Sequence, residues 1–212
     1  MASNVGVIIS VAPFFTAVLS HVFLSTEEKL KAQFFVGFIV AMAGICLISF
    51  SGSKWKLNPV GDILAVVAAL VWAVYSLLTR KIGSYRYSTI QTTRRIFTYG
   101  ILFMLPCLFI FDFKLDMQKF VKPEYALNLI YLGLGASALC FVTWNYAVKV
   151  LGAVKTSVYI YIVPVITVVT SVIVLKEEIT WMAAIGIGLT LIGLFLSESK
   201  LIFKNRGKQN EC

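Results

Sequence analysis

A few aromatic and hydroxyl side chains carry most of the chemistry this sequence offers. Trp72 and Tyr75 stand three residues apart and share a helix face, Trp144 and Tyr146 flank Asn145, and Tyr159 precedes Pro164 by five residues. Flat rings of this kind stack on amino-acid or heteroaromatic solutes. The amide of Asn145 and the hydroxyls of Thr16 and Thr167 would add the few directed hydrogen bonds that fix a small molecule's orientation. Pro13 and Pro164 lack an N–H, so each kinks its helix and frees a carbonyl four residues back, that of Ile9 or Ile160. A freed carbonyl in an apolar run serves as a ligand or a hinge when it lines a cavity. The plainer reading of the same residues is packing or, for aromatics near the ends of apolar runs, anchoring at an interface.

Other chemistries lack their signatures. There is no His-Glu-x-x-His helix, no Gly-x-Ser-x-Gly elbow and no phosphate-cradling glycine loop, so the residues point to neither an enzyme nor a bound cofactor. The four cysteines have no metal-ligand or disulfide spacing, and Cys46, Cys107 and Cys140 read as buried structural thiols inside apolar runs. No Asp or Glu lies within an apolar run, since Asp62, Asp112 and Glu198 sit at ends. A proton relay built on an intramembrane carboxylate is therefore not expected from these residues. Glu28 and Glu177 read as turn residues that orient the following helix. His21, the one histidine, falls near the end of a run, and Lys149, Arg94 and Arg95 read as boundary cations that snorkel or draw anions to a cavity mouth.

The elements that would position these residues follow from composition. Hydrophobic residues are 59% of 212 and charged ones 14%, and mean hydropathy is +0.87, against about 45–50% apolar and about 25% charged in a soluble domain. The chain reads as an all-α integral membrane protein whose first partner is the lipid bilayer. Seven apolar runs, at 5–24, 32–50, 62–79, 96–113, 125–148, 156–175 and 181–198, approach the roughly 20 residues that cross a bilayer. The start, MASNVGV, lacks the positive segment of a signal peptide. Of the 19 lysines and arginines, 13 fall in one set of alternate compartments, which includes the tail, and 6 in the other. This bias places the C-terminus in the cytoplasm and the Met1 side outside, in a cytoplasmic membrane. It also accounts for most of the +9 charge, so nucleic acid is not an expected partner.

The sequence repeats itself. Pro13, Thr16 and Ser20 match Pro164, Thr167 and Ser171 at an offset of 151, and Glu28, Gly37 and Gly44 match Glu177, Gly186 and Gly193 at an offset of 149. The glycines read as helix-packing faces. Five runs separate the copies, an odd number, so the copies must cross the membrane in opposite directions. Inverted repeats distinguish transporters, which hold a small-molecule substrate between halves near the midplane, from seven-helix receptors. A retinal protein would further require a lysine midway along the last run, and WMAAIGIGLTLIGLFLSE has none. Residues 62–198 make a complete five-helix repeat, residues 1–52 hold the counterparts of its last two helices, and 199–212 form a basic tail. The seven spans are thus expected to be part of a ten-helix protein, with three helices to be supplied before Met1 or by a partner chain, a dimer included. A receptor-like bundle or an inactive fragment is the alternative.

The stretch NYAVKVLGAVKTSVYIYIVPVITVVTSVIVLKEEITWMAAIGIGLTLIGLFL resembles the closing part of an EamA domain of the drug/metabolite transporter superfamily, and VIISVAPFFTAVLSHVFLSTEEKLKAQFFVGFIVAMAGICLI is similar to the end of the preceding one. The resemblance implies ten helices with both termini cytoplasmic and carriage of metabolites, often amino acids or related compounds and commonly outward. The missing first three helices and two extra residues in the STEEK turn depart from that pattern.

Overall fold

The computed structural model describes residues 7–24, 32–52, 59–85, 87–111, 122–176 and 179–208, without the side chains of 51, 52, 175 and 199–208. Glu28 and Glu177 lie outside the described residues. Every described element is a helix: α1 (Ala12–Phe23), α2 (Ala32–Gly52), α3 (Pro59–Gly83), α4 (Thr89–Ile110), α5 (Pro123–Ile130), α6 (Cys140–Leu151), α7 (Ala153–Val158), α8 (Ile162–Thr170) and α9 (Trp181–Lys208), with short π and 3-10 stretches joining some of them. Among the described residues six helices are long and apolar enough to cross a membrane: Ala32–Phe50, Pro59–Gly83, Thr89–Ile110, Pro123–Leu151, Ala153–Val174 and Trp181–Glu198, and a shorter apolar helix covers Val7–Phe23. The chain is an integral membrane protein whose described elements are all helices.

The apolar runs locate these helices but not all their ends. α4 starts at Thr89 rather than 96, because its first turns, TIQTTRR, are polar yet helical. Ser88 before it is extended, at φ −63° and ψ 134°, and its carbonyl accepts from the N–H of Thr92 at 3.0 Å. Hydropathy reports what a helix is dissolved in, whereas the backbone ladder continues past the lipid boundary.

The chain divides into two compact units, residues 1–78 with 152–212, and residues 79–151. In the first, α2 and α9 pack with their backbones in contact. A Cβ built on Gly37 would lie 2.7 Å from the carbonyl oxygen of Gly193, and one on Gly44 would lie 2.5 Å from that of Gly186. The reverse holds as well: Gly186 faces the Gly44 carbonyl at 2.7 Å and Gly193 that of Gly37 at 2.6 Å. No side chain fits at these positions, so small residues let two helices approach where lipid supplies no hydrophobic drive. Beside this seam Ala17, Phe34, Ala41, Ile45, Val158, Tyr161 and Leu194 form the buried core.

Two helices of this unit are broken near their prolines. Before α1, Ser10 and Val11 make a turn, with Val11 N–H donating to the Ile8 carbonyl at 3.0 Å, and Pro13 then sits in the first turn of α1. A proline is tolerated there because a first-turn N–H has no intrahelical acceptor. In the other copy α7 tightens into a 3-10 turn at Tyr159–Tyr161, resumes as α8 with Pro164 its third residue, and loosens into a π turn at Ser171–Leu175. The Lys176 backbone beyond is left-handed at φ 55°.

In the second unit α4 packs on α6, and Phe97 meets Phe141 edge to face with centroids 5.2 Å apart. α5 begins at Pro123 and continues through a π-helical stretch, Tyr131–Leu139, into α6. Gly152 at φ 94° then breaks the chain between α6 and α7, a conformation that glycine adopts without a Cβ penalty.

Candidate functional site

The expected solute-contacting residues divide between the units. Trp72, Tyr75, Thr16, Thr167 and Tyr159 belong to the first, Trp144 and Asn145 to the second. On α3 the rings of Trp72 and Tyr75 lie 5.5 Å apart at 39°, both half-buried, and Ser76 Oγ donates to the Trp72 carbonyl at 3.0 Å. The three-residue spacing produces this pair, because residues three apart on a helix are neighbours.

Thr16 and Thr167 behave alike in one respect and differ in another. Each hydroxyl donates to the carbonyl four residues back, Thr16 to Ala12 and Thr167 to Val163, both at 2.9 Å. These are the carbonyls immediately before the prolines, not the Ile9 and Ile160 carbonyls that the prolines free. Thr16 is fully buried and Thr167 exposed. Pro13 is buried with Thr16, Ala17 and Ser20 on the buried side of α1, which packs on α7.

Tyr159 has a partner that the sequence did not single out. Its hydroxyl donates to Glu198 Oε1 at 2.6 Å, and Lys155 Nζ lies 3.5 Å from the same oxygen. Glu198 ends the apolar helix Trp181–Glu198, yet only 9% of it is exposed, so a position at the end of an apolar run is not a position in water. The four-residue spacing of Lys155 and Tyr159 was the available signal, since it sets both on one helix face.

In the second unit Asn145 is buried and donates from Nδ2 to Thr93 Oγ1 at 2.9 Å, while Thr93 donates to the Thr89 carbonyl. One turn on, Lys149 Nζ donates to the Tyr87 carbonyl at 2.9 Å, and Arg80 Nη1 donates to the carbonyls of Val148 and Lys149. Arg80 thus satisfies carbonyls at the C-terminal end of α6, where a cation also meets the negative end of the helix dipole. Asn145 and Lys149 line a cleft with Thr79, Thr89 and Thr92, whose interior of ≈ 10 Å³ holds about one water. Neither Arg80 nor Thr93 was expected to matter from sequence. Trp144 is half-buried, and Arg95 lies over the Tyr87 ring, 5.8 Å from its centroid. Arg94 and His21 are exposed.

One expectation fails outright. Of the cysteines expected to be buried, Cys46 is half-buried, while Cys107 and Cys140 are exposed. An apolar run in lipid carries apolar residues on its outward face too, so hydrophobicity there does not mean burial in protein. Among the described residues, no three His, Cys, Asp or Glu side chains gather where a metal ion could bind.

Comparison with known proteins adds the following. The model of the EamA-like transporter family matches residues 59–198. An "Uncharacterized transporter" of Archaeoglobus fulgidus is 28% identical over 202 residues, covering 94% of this chain and 68% of its own length. A protein of Streptantibioticus cattleyicolor named "Probable terminal-alkyne amino-acid exporter" is 27% identical over 207 residues, covering 97% of this chain and 67% of its own. A protein of known crystal structure shares the fold with a TM-score of 0.74 at 21% identity, over 94% of this chain and 67% of that one. The chain spans about two thirds of the length of these relatives.

Proposed function

Because the chain belongs to the EamA-like transporter family, and is thereby a membrane transporter, we propose that it is a secondary carrier which exports small organic metabolites such as amino acids by alternating access. The reading of solute class and direction is supported by the name of the Streptantibioticus relative and by the aromatic pair of α3. The substrate-contacting set is Trp72, Tyr75, Trp144, Asn145, Tyr159, Thr16 and Thr167, with Pro13 and Pro164 at the helix breaks that act as hinges. The carrier lies in the cytoplasmic membrane with its C-terminal tail, 199–212, inside.

The observation that carries this reading is the glycine seam. The offset of 149 equates Gly37 with Gly186 and Gly44 with Gly193. In the seam Gly37 meets Gly193 and Gly44 meets Gly186, so each residue touches the counterpart of the other. Reciprocal contact of that kind is what a two-fold axis in the membrane plane requires of two inverted copies. It supports residues 62–198 as one five-helix repeat and 1–52 as the last two helices of another, related by inversion. Each copy also breaks its helix beside the matching proline, the discontinuous geometry that transporters use at midplane sites.

Purified protein in proteoliposomes loaded with a radiolabelled amino-acid pool tests the proposal. A carrier gives saturable efflux that unlabelled amino acid on the far side accelerates. A protein that binds amino acids and moves none of them contradicts it.

A further inference from the structure

Lys155, Tyr159 and Glu198 form a cluster in which a carboxylate is held by two partners from another helix. Lys155 and Tyr159 stand one turn apart, at the junction of α7 with its 3-10 turn, and both reach the same oxygen, Glu198 Oε1. The side chains of Lys155 and Glu198 are only 19% and 12% exposed. Of the elements packed against α9, α2 carries no described titratable group but Cys46, and α8 carries none. The 3-10 turn carries Tyr159 and Tyr161, and α7 carries Lys155. Among the described side chains Lys155 is the cation paired with Glu198, with the Tyr159 hydroxyl as its hydrogen-bond donor, and α9 itself carries Lys200, Lys204, Arg206 and Lys208 further along.

The cluster also breaks the internal repeat. The offset of 151 sets Asn4 and Ile8 against Lys155 and Tyr159, and that of 149 sets Ser49 against Glu198. The counterpart positions hold no ionisable side chain. Two inverted copies of identical sequence would make the two access states equal in energy, and a charge pair in one copy only removes that equality.

We propose that Glu198 is a proton-binding site and that its ion pair with Lys155 is a latch between α9 and the broken helix α7–α8, released when Glu198 takes up a proton. The balance is simple: a proton from water binds the carboxylate, the carboxyl becomes neutral, and Lys155 keeps its charge and loses its counter-ion. Release frees the 3-10 turn and the Pro164 segment to move against α9. The purpose of such a latch rests on the carrier reading above, but its test needs no transported solute, so the two fail separately.

Hydrogen exchange of the whole chain in lipid nanodiscs, corrected for the intrinsic pH dependence of exchange, reads the latch directly. At about pH 7.5, Glu198→Gln should speed exchange in residues 159–174 about tenfold and leave Ala32–Phe50 unchanged. Wild type should reach the same fast exchange on acidification, and Glu198→Gln should no longer respond to acid. The double variant Lys155→Glu with Glu198→Lys restores the pair with its signs reversed and should restore slow exchange at neutral pH. Wild-type protection in Glu198→Gln, an unaltered acid response in that variant, or fast exchange in the double variant would each overturn the proposal.

Discussion

The glycine seam of α2 and α9 and the polar contacts of α4 and α6 are two ways of holding helices together in lipid. In the seam the backbones themselves meet, with a hypothetical Gly44 Cβ only 2.5 Å from the Gly186 carbonyl. In the second unit the helices are linked by side chains instead: Asn145 donates to Thr93, Lys149 to the Tyr87 carbonyl, and Arg80 to the end of α6. Burial follows the same division. Of the most apolar window of Trp181–Glu198, 33% is buried, against 6% for Thr89–Ile110 and none for Pro123–Leu151. A backbone seam tolerates no added atom, while a side-chain link can be exchanged at the cost of one hydrogen bond. This difference assigns the first region to permanent packing and makes the second the easier one to rearrange.

Three substitutions test that contrast. Gly193→Val should do the most damage, because its Cβ would lie 2.6 Å from the Gly37 carbonyl. The helices must separate, and overpacking of this kind costs about 3 kcal/mol, read as a lowered midpoint of detergent-induced unfolding in bicelles. Asn145→Leu keeps the volume roughly and removes the Thr93 contact, so it should cost about 1 kcal/mol, the scale of an interhelical hydrogen bond in a membrane. Gly188→Ala should be smallest in effect, within about 0.5 kcal/mol of wild type, because a Cβ there meets nothing within 4 Å. Equal losses at Gly193 and Gly188 would mean that the seam is not what holds α2 on α9.

The sequence located the helices because lipid imposes one strong rule, a long apolar run, and Ala32–Phe50 and Trp181–Glu198 obey it from end to end. The matched glycines and prolines were legible too, since small residues and imino acids have few other reasons to recur at fixed offsets. Hydropathy could not show the polar first turns of α4, the tightening at Tyr159–Tyr161 or the widening at Ser171–Leu175. Those depend on which carbonyl each N–H selects. Nor does it separate lipid-facing from protein-facing positions, which is why Cys107 and Cys140 lie exposed although both stand in apolar runs. The place of Glu198 along the chain does not show its environment, which is set by Lys155 and Tyr159, about 40 residues away and reached only once the helices pack.

Inversion of the two copies is the central claim, and the side of the membrane to which each copy's exit turn points tests it most directly. Leu24 follows α1, and Ile179 precedes α9 after the matching helix. In a chain whose native cysteines are replaced, Leu24→Cys and Ile179→Cys would be labelled separately with an impermeant maleimide in right-side-out and inside-out vesicles. With the copies inverted, Leu24→Cys reacts from the cytoplasmic side and Ile179→Cys from the outside. Reaction of both from the same side would contradict it.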